Sequence, residues 1–419
     1  MGRFYMETRK KICIVMLDMK DDYRDNYVVG MEKQARKLNY QTVTFSIPLS
    51  NGKYTKKEEE IYQYIDFNQY DGVIFFENSF STIKALGNMT ETLIHEKCHV
   101  PVMVLGESML FPETYMPDNS LGTQLLTDHL IEEHGCKSLY FLGGEPDQAL
   151  RNDQGFMKSL QEHQIPYTND NLIYGGYWLE CGESLAKDIA YNIVEKPDAV
   201  VCQDDTVAFF FIKALSKYGI RVPEDILVTG FGARNDSRNH ILSITTYPIN
   251  AEYHGRKVMA RLHSMITKEK EIPVNFPKSD VIPGISCGCG EQKLPNTRLL
   301  LEQHEKFRQQ RNYYRNSELE EKCYSCSTYA HLHSVISNSY YIIRDATFFS
   351  VNITESDGMS RCIYMSNVAW SDTPVIFPTM DIFPANILKT VSRYLHVVPL
   401  TFNNIINLTN IVTNNKATN

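Results

Sequence analysis

The stretch Pro197–Gly232, PDAVVCQDDTVAFFFIKALSKYGIRVPEDILVTGFG, reads as strand, helix, strand. A short apolar run, Ala199–Cys202, stops at the polar corner Gln203-Asp204-Asp205. Apolar residues then recur at helical spacing as far as Gly219. After a Val-Pro turn a second apolar run closes on Gly230. Such units build open parallel sheets, in which ligands bind outside the carboxyl ends of the strands. The acids at 204 and 205 therefore stand where a small molecule would be met.

Outward from this unit, residues 10–292 alternate strand and helix signals, the pattern of parallel sheets with crossover helices. Strand-like runs are Lys11–Leu17, Gln41–Ile47, Gly72–Phe76, Val100–Leu105, Ser138–Leu142 and Asp170–Tyr174. Helical spacing covers Asn26–Leu38, Ser120–His134 (with Asn119 as its expected cap), Gln154–His163 and Gly182–Val194.

The 419 residues are 43% hydrophobic and 22% charged, the balance of a globular chain with room for two or three domains. A formal charge of −8 suits a polyanion poorly, and the basic run MGRFYMETRKK at the start is short. No apolar h-region and no membrane-length apolar run are visible. Ten cysteines lack secretory spacing. The expectation is a cytoplasmic protein with reduced thiols and no membrane contact.

The opening unit resembles the corresponding segment of the lactose-repressor (LacI/GalR) family, where the strand ends in Asn-Asp and "RVPED…V.GF" recurs. The resemblance runs on. Leu17–Arg24 and Gly30–Ala35 lie under the family's "PDISNPFF…GIE.AA". Tyr70–Phe76 is similar to "YDGIII", Val100–Gly106 to "IPVV.VD", Asp118–Ile131 to "DN..GA…HLI", and Ser286–Cys289 to the closing "ESCGC". It implies an α/β fold of periplasmic-binding-protein type I, with two Rossmann-like parallel-sheet subdomains joined by three crossings. The lobes implied are 10–113 with 248–275, and 114–247 with 276–292, after a tail at 1–9. The ligand is expected between them, biasing a hinge.

Family repressors begin with a helix-turn-helix, whereas few residues precede the first strand here. No direct DNA contact by this chain is therefore expected. A segment from 293 to 322, with Leu300, Phe307 and Tyr314 at sevenfold spacing, reads as a linker or signalling helix or as an amphipathic helix packed on its own domain. The remainder, 323–419, reads as a small α+β extension with strands at Thr347–Ile353, Arg361–Ser366, Phe377–Leu388 and Tyr394–Phe402. "FPTMDIFP" and "VVPLTF" resemble the GAF-like middle domain of some bacterial diguanylate cyclases. The alternative reading is thus the sensory part of a signalling enzyme whose catalytic domain lies outside this sequence.

The resemblance assigns ligand contacts to Asp18, Asp21 and Tyr23 in the loop after the first strand, and to Asp204. Its cleft arginine stands at Asn152, with Arg151 one residue earlier. Gly232 occupies the place of a family Asp, for which Arg234 or Asn235 could compensate. Carboxylates accept from hydroxyls, an aromatic face suits a pyranose, and Arg pairs bidentately with carboxylates or vicinal hydroxyls. A sugar is expected first and a nucleoside-like effector second, without catalysis or cofactor. Asp205 is assigned to capping the helix that follows.

Two motifs suggest catalysis and fail on context. His95-Glu-Lys-Cys-His99 matches H-E-x-x-H, but Pro101 ends the helix such a zinc site requires. Gly284–Gly288 matches G-x-S-x-G without the strand and helix of a nucleophile elbow. Cys287 and Cys289, with Cys323 and Cys326, are zinc-like ligand types without paired spacing, and are read as free thiols with no metal. Phe209, Phe210 and Phe211 cannot all face one core, which points to a homodimer face on that helix, as the resemblance also implies.

Overall fold

The computed structural model describes residues 10–17, 22–47, 58–81, 83–144, 151–175, 180–233, 243–277, 279–290, 328–339, 346–354, 359–365, 376–378, 394–402 and 405–413. The chain divides into two compact units. Unit 1 is Met1–Tyr115, Ala251–Asn275 and Arg308–Asn419, and unit 2 is Met116–Asn250 and Phe276–Phe307.

Unit 1 opens with β1 (Lys11–Leu17), α1 (Asp22–Lys37), β2 (Gln41–Ile47), β3 (Gly72–Phe75), α2 (Lys84–Lys97), β4 (Val102–Leu105) and β5 (Thr114–Tyr115). These strands are parallel in the order β2-β1-β3-β4-β5. Every β1 residue after Lys11 is buried, as a strand covered on both faces requires. In β2 the hydroxyl/apolar alternation suggests one wet face, yet Thr42, Thr44 and Ser46 are buried too, because α1 and the 3-10 segment Glu58–Tyr64 both pack on it. Helix α1 starts at Asp22, so Tyr23 lies in a helical turn and not in the loop expected from sequence.

Unit 2 carries α3 (Ser120–Glu132), β6 (Leu139–Gly143), α4 (Asn152–Glu162), β7 (Leu172–Tyr174), α5 (Glu180–Ala190), β8 (Ala199–Cys202), α6 (Asp205–Lys217) and β9 (Leu227–Thr229). Its four strands are all parallel, in the order β7-β6-β8-β9. Successive β8 residues feed opposite cores, as the two-residue pleat dictates. Ala199 and Val201 pack with Phe141, Phe156 and Leu160. Val200 and Cys202 pack with Leu185, Phe211 and Val228. Val207, Phe211, Ala214 and Leu215 supply the buried stripe of α6 at helical spacing. Phe209 and Phe210 are half-buried and meet edge to face with ring centroids 5.3 Å apart.

The chain returns to unit 1 through α7 (Ala251–Thr267), which packs along α1. A Cβ on Gly255 would run into the carbonyl oxygen of Tyr27, and one on Gly30 into that of Glu252, so these helices touch backbone to backbone. Beyond α8 (Tyr329–Ser339) come β10 (Ala346–Thr354), β11 (Met359–Met365), β12 (Ile376–Pro378), β13 (Tyr394–Phe402) and β14 (Ile405–Thr413). They do not form a separate sheet. β13 lies parallel on the free edge of β2, and the sheet continues as β13-β14-β10-β11-β12 by antiparallel pairs. The segment 293–322 and Cys323 and Cys326 lie outside the described residues. Among the described residues, no helix is long and apolar enough to cross a membrane.

Candidate functional site

In unit 2 the strand order reverses between β6 and β8, so the crevice of this sheet opens at their carboxyl ends. β6 ends at Gly143 and β8 at Cys202, followed by Gln203. The Gly144 amide donates to Gln203 Oε1 (2.7 Å), and the Gln203 amide donates to the Leu142 carbonyl (2.9 Å). The corner that opened the sequence reading is thereby fixed at the switch point.

Asn152, fully buried at the start of α4, braces that corner. Its Nδ2 donates to the Gln203 carbonyl (3.2 Å), and its Oδ1 accepts from Asn119 Nδ2 (3.1 Å). Asn119 thus spends its amide on Asn152 and makes no side-chain cap on α3, contrary to expectation. The Ser120 amide is met instead by Asp118 Oδ1 (3.0 Å).

Arg151 takes a left-handed backbone, φ 63°, a conformation rarely adopted by residues other than glycine and often stored beside ligand sites. Its guanidinium lies 3.2 Å from Asp118 Oδ2 and is more than half exposed, so the pair adds little stability. Burial works against charge on Asp118. The Ser120 hydroxyl and amide and the Arg151 guanidinium outweigh it, and the carboxyl sits below its usual range. At the end of β7, the Tyr174 hydroxyl donates to Asp153 Oδ2 (2.5 Å). Burial and that carboxylate push the phenol's pKa upward.

The capping role expected of Asp205 falls to Asp204. Asp204 caps α6, its Oδ1 accepting from the Val207 amide (2.8 Å). Asp205 is buried, accepts from Thr246 Oγ1 (2.6 Å), and through its amide donates to the Phe231 carbonyl (3.0 Å). The helix begins at Asp205, one residue earlier than a cap at 205 would require, which moves the cap from 205 to 204. Asp204 remains partly exposed at the strand end, with one carboxylate oxygen engaged by the cap. Asp204→Ala is expected to lower stability by about 1 kcal/mol through loss of the cap, measured by urea unfolding.

Gly232 has φ 117°, a backbone that side-chain-bearing residues avoid, and its amide donates to the Tyr247 carbonyl (2.7 Å). The carboxylate expected from the resemblance would be strained there. Asp18, Asp21, Arg234 and Asn235 lie outside the described residues, so unit 2 brings together Arg151, Asn152 and Asp204 of the residues expected.

Gln203, Asp118 and the Asp153–Tyr174 pair are additions. Gln203 was visible as part of the polar corner, while the other two depend on strand order. In unit 1 the equivalent reversal lies between β1 and β3. There Ser79 Oγ accepts from the Leu17 amide (2.8 Å) and donates to the Phe76 carbonyl (2.6 Å). Burial, with Glu91 and Glu107 nearby, raises the Glu77 carboxyl above its usual range against the lowering effect of its hydrogen bond from the Glu107 amide.

The catalytic motifs dissolve in the structure. Helix α2 ends at Lys97, so His95 and His99 share no helical face, and His95 packs against the Phe111 ring. Gly284 precedes only a short 3-10 turn, Ile285–Cys287.

Residues 127–287 match the periplasmic binding protein-like domain family. The "HTH-type transcriptional repressor PurR" of Actinobacillus pleuropneumoniae serotype 3 is 24% identical over 272 residues, 63% of this chain and 76% of that protein. Catabolite control protein A of Staphylococcus epidermidis is 26% identical over 223 residues, 52% of this chain and 63% of its own length. Among solved structures, the transcription regulator CcpA of Lactococcus lactis superposes with a TM-score of 0.52 at 18% identity, covering 67% of this chain and 99% of that one. The regulator CelR in complex with cellobiose gives 0.51 at 20% identity, covering 67% and 86%. At these identities the structures show the fold: periplasmic-binding-protein-like, type I.

Proposed function

Because the chain carries a periplasmic-binding-protein-like domain of LacI/GalR type, we propose that it is a non-catalytic, ligand-sensing regulator whose effector is a polyhydroxy small molecule, a sugar before a nucleoside. The observation that carries this is the braced corner at the strand-order reversal of unit 2. Asn152 braces Gln203 at the switch point, Asp204 follows as the cap of α6, and Arg151 precedes Asn152 in the chain. Such a corner offers acceptors and a guanidinium to hydroxyl groups. The likeness to a cellobiose-bound regulator supports a sugar.

The signal proposed is closure of the fold's hinge on its ligand, which can shift the balance only by differential affinity for the two states. A homodimer using the α6 face at Phe209 and Phe210, in the cytoplasm, completes the reading. A thermal-shift panel of sugars, sugar phosphates and nucleosides tests it. A true effector at a hundredfold excess over its Kd is expected to stabilise the fold by about 2.7 kcal/mol. If no member of the panel raises Tm, the polyhydroxy assignment is wrong.

A further inference from the structure

Four ligand atoms converge at the far end of α3 in unit 2. His129 stands in the last turn of that helix and His134 follows it. Cys287 and Cys289 come from the segment 284–290, more than 150 positions along the chain. His129 Nε2 lies 3.4 Å from Cys287 Sγ and 3.8 Å from Cys289 Sγ, and His134 Nε2 lies 3.2 Å from Cys289 Sγ. All four atoms fall within 4.8 Å of one another.

Chemistry decides what this set can hold. Two imidazole nitrogens and two thiol sulfurs are the donor set of closed tetrahedral zinc sites. The edge of a tetrahedron is about 1.6 times its bond length. Zn–N and Zn–S bonds of about 2.0 and 2.3 Å then predict edges of roughly 3.3 to 3.8 Å. The three nitrogen–sulfur separations lie within about 0.3 Å of the edge of roughly 3.5 Å expected between one nitrogen and one sulfur ligand.

Both histidines present the same nitrogen, Nε2. A hydroxyl supports one sulfur, Thr245 Oγ1 donating to Cys287 Sγ (2.9 Å), as outer-shell groups do for thiolate ligands. Between the cysteines, Gly288 takes φ 86°, and a notional Cβ would meet only the Pro223 side chain at an ordinary 3.8 Å, so the backbone bend, not crowding, calls for glycine there. That bend lets two sulfurs in a Cys-Gly-Cys sequence face one point. We propose that His129, His134, Cys287 and Cys289 form a structural zinc site that clasps the end of α3 to the segment 284–290. The site replaces the free-thiol reading of Cys287 and Cys289, and it takes its partners from histidines instead of Cys323 and Cys326.

The test uses the full chain, purified under reducing conditions and loaded with zinc or cobalt. One equivalent of zinc is expected to stay bound through gel filtration and to raise Tm relative to chelator-treated protein. The cobalt form should show visible bands of tetrahedral intensity and near-ultraviolet thiolate-to-cobalt charge transfer from two sulfurs. Cys289 is exposed, so Cys289→Ser should fold, halve the charge-transfer intensity and weaken cobalt binding by roughly tenfold or more. His134→Asn should weaken binding similarly while keeping the two-sulfur intensity.

A folded wild-type protein with no charge-transfer band would overturn the proposal. So would a band that Cys289→Ser and His134→Asn both leave unchanged, which would place the metal on other thiols. A Cys287–Cys289 disulfide that persists under those reducing conditions would overturn it as well. None of these readouts depends on the identity of the effector.

Discussion

Gly255→Ala is expected to destabilise the protein by about 3 kcal/mol or more, against the usual sign for this substitution in a helix. Intrinsic propensity favours alanine over glycine by about 1 kcal/mol in a helix interior, and Gly255 sits well inside α7. Packing decides the outcome. The added methyl would press into the Tyr27 carbonyl oxygen and the neighbouring backbone of α1, and Gly30 makes the reciprocal approach to Glu252. Backbone cannot swing aside as a flexible side chain can, so α1 and α7 must move apart along their shared face. For a domain of this size the loss corresponds to a fall in Tm of roughly 6–12 °C.

Gly135→Ala provides the contrast. Gly135 has φ 68° with nothing near a notional Cβ, so only conformational strain of about 1 kcal/mol is at stake. Thermal and urea unfolding of Gly255→Ala, Gly30→Ala and Gly135→Ala rank the two effects. If Gly255→Ala matched or exceeded the wild type in stability, the close helix contact would be wrong.

The parallel-sheet architecture is legible in the sequence because burial on both faces leaves a direct trace. Ala199–Cys202 is apolar at every position and folds as the strand it suggests. The apolar spacing of α6 similarly selects Val207, Phe211 and Leu215 for the core. What stays hidden depends on register or on distant partners. Asp204 and Asp205 differ by one position, and only the exact helix start tells cap from buried anchor.

Asn152 looks like a possible ligand residue, but its hydrogen bonds to Asn119 and Gln203 exist only once α3, α4 and β8 are assembled. The zinc ligands escape motif reading for the same reason: His129 and His134 belong to no Cys-x-x-Cys repeat and meet Cys287 and Cys289 through the fold alone. The attachment of β13 to the edge of β2 has no local signal either, since edge pairing is written in unpaired backbone groups, not side-chain pattern.

Replacing the two neighbouring aspartates should separate folding from sensing. Asp205→Ala removes the buried carboxylate that accepts from Thr246, and a hydrogen bond to a charged acceptor is worth about 1.5–3 kcal/mol. The fully buried Thr246 hydroxyl would then lose its acceptor. A stability loss of about 2–3 kcal/mol is expected, with the affinity of the remaining folded protein for its effector little changed.

Asp204→Asn should do the opposite. Asparagine caps helices about as well as aspartate, so the Val207 amide keeps its acceptor and Tm should move by only a degree or so. The carboxylate proposed to meet ligand hydroxyls is lost, however, and charged acceptors bind roughly twice as strongly as neutral ones. The effector found in the thermal-shift panel should bind Asp204→Asn at least roughly tenfold more weakly by calorimetry, a loss of about 1.4 kcal/mol. An unchanged Kd for Asp204→Asn would remove Asp204 from the binding site and leave it as a helix cap. A weakened Kd for Asp205→Ala at unchanged stability would mean that the inner aspartate, not the outer one, meets the ligand.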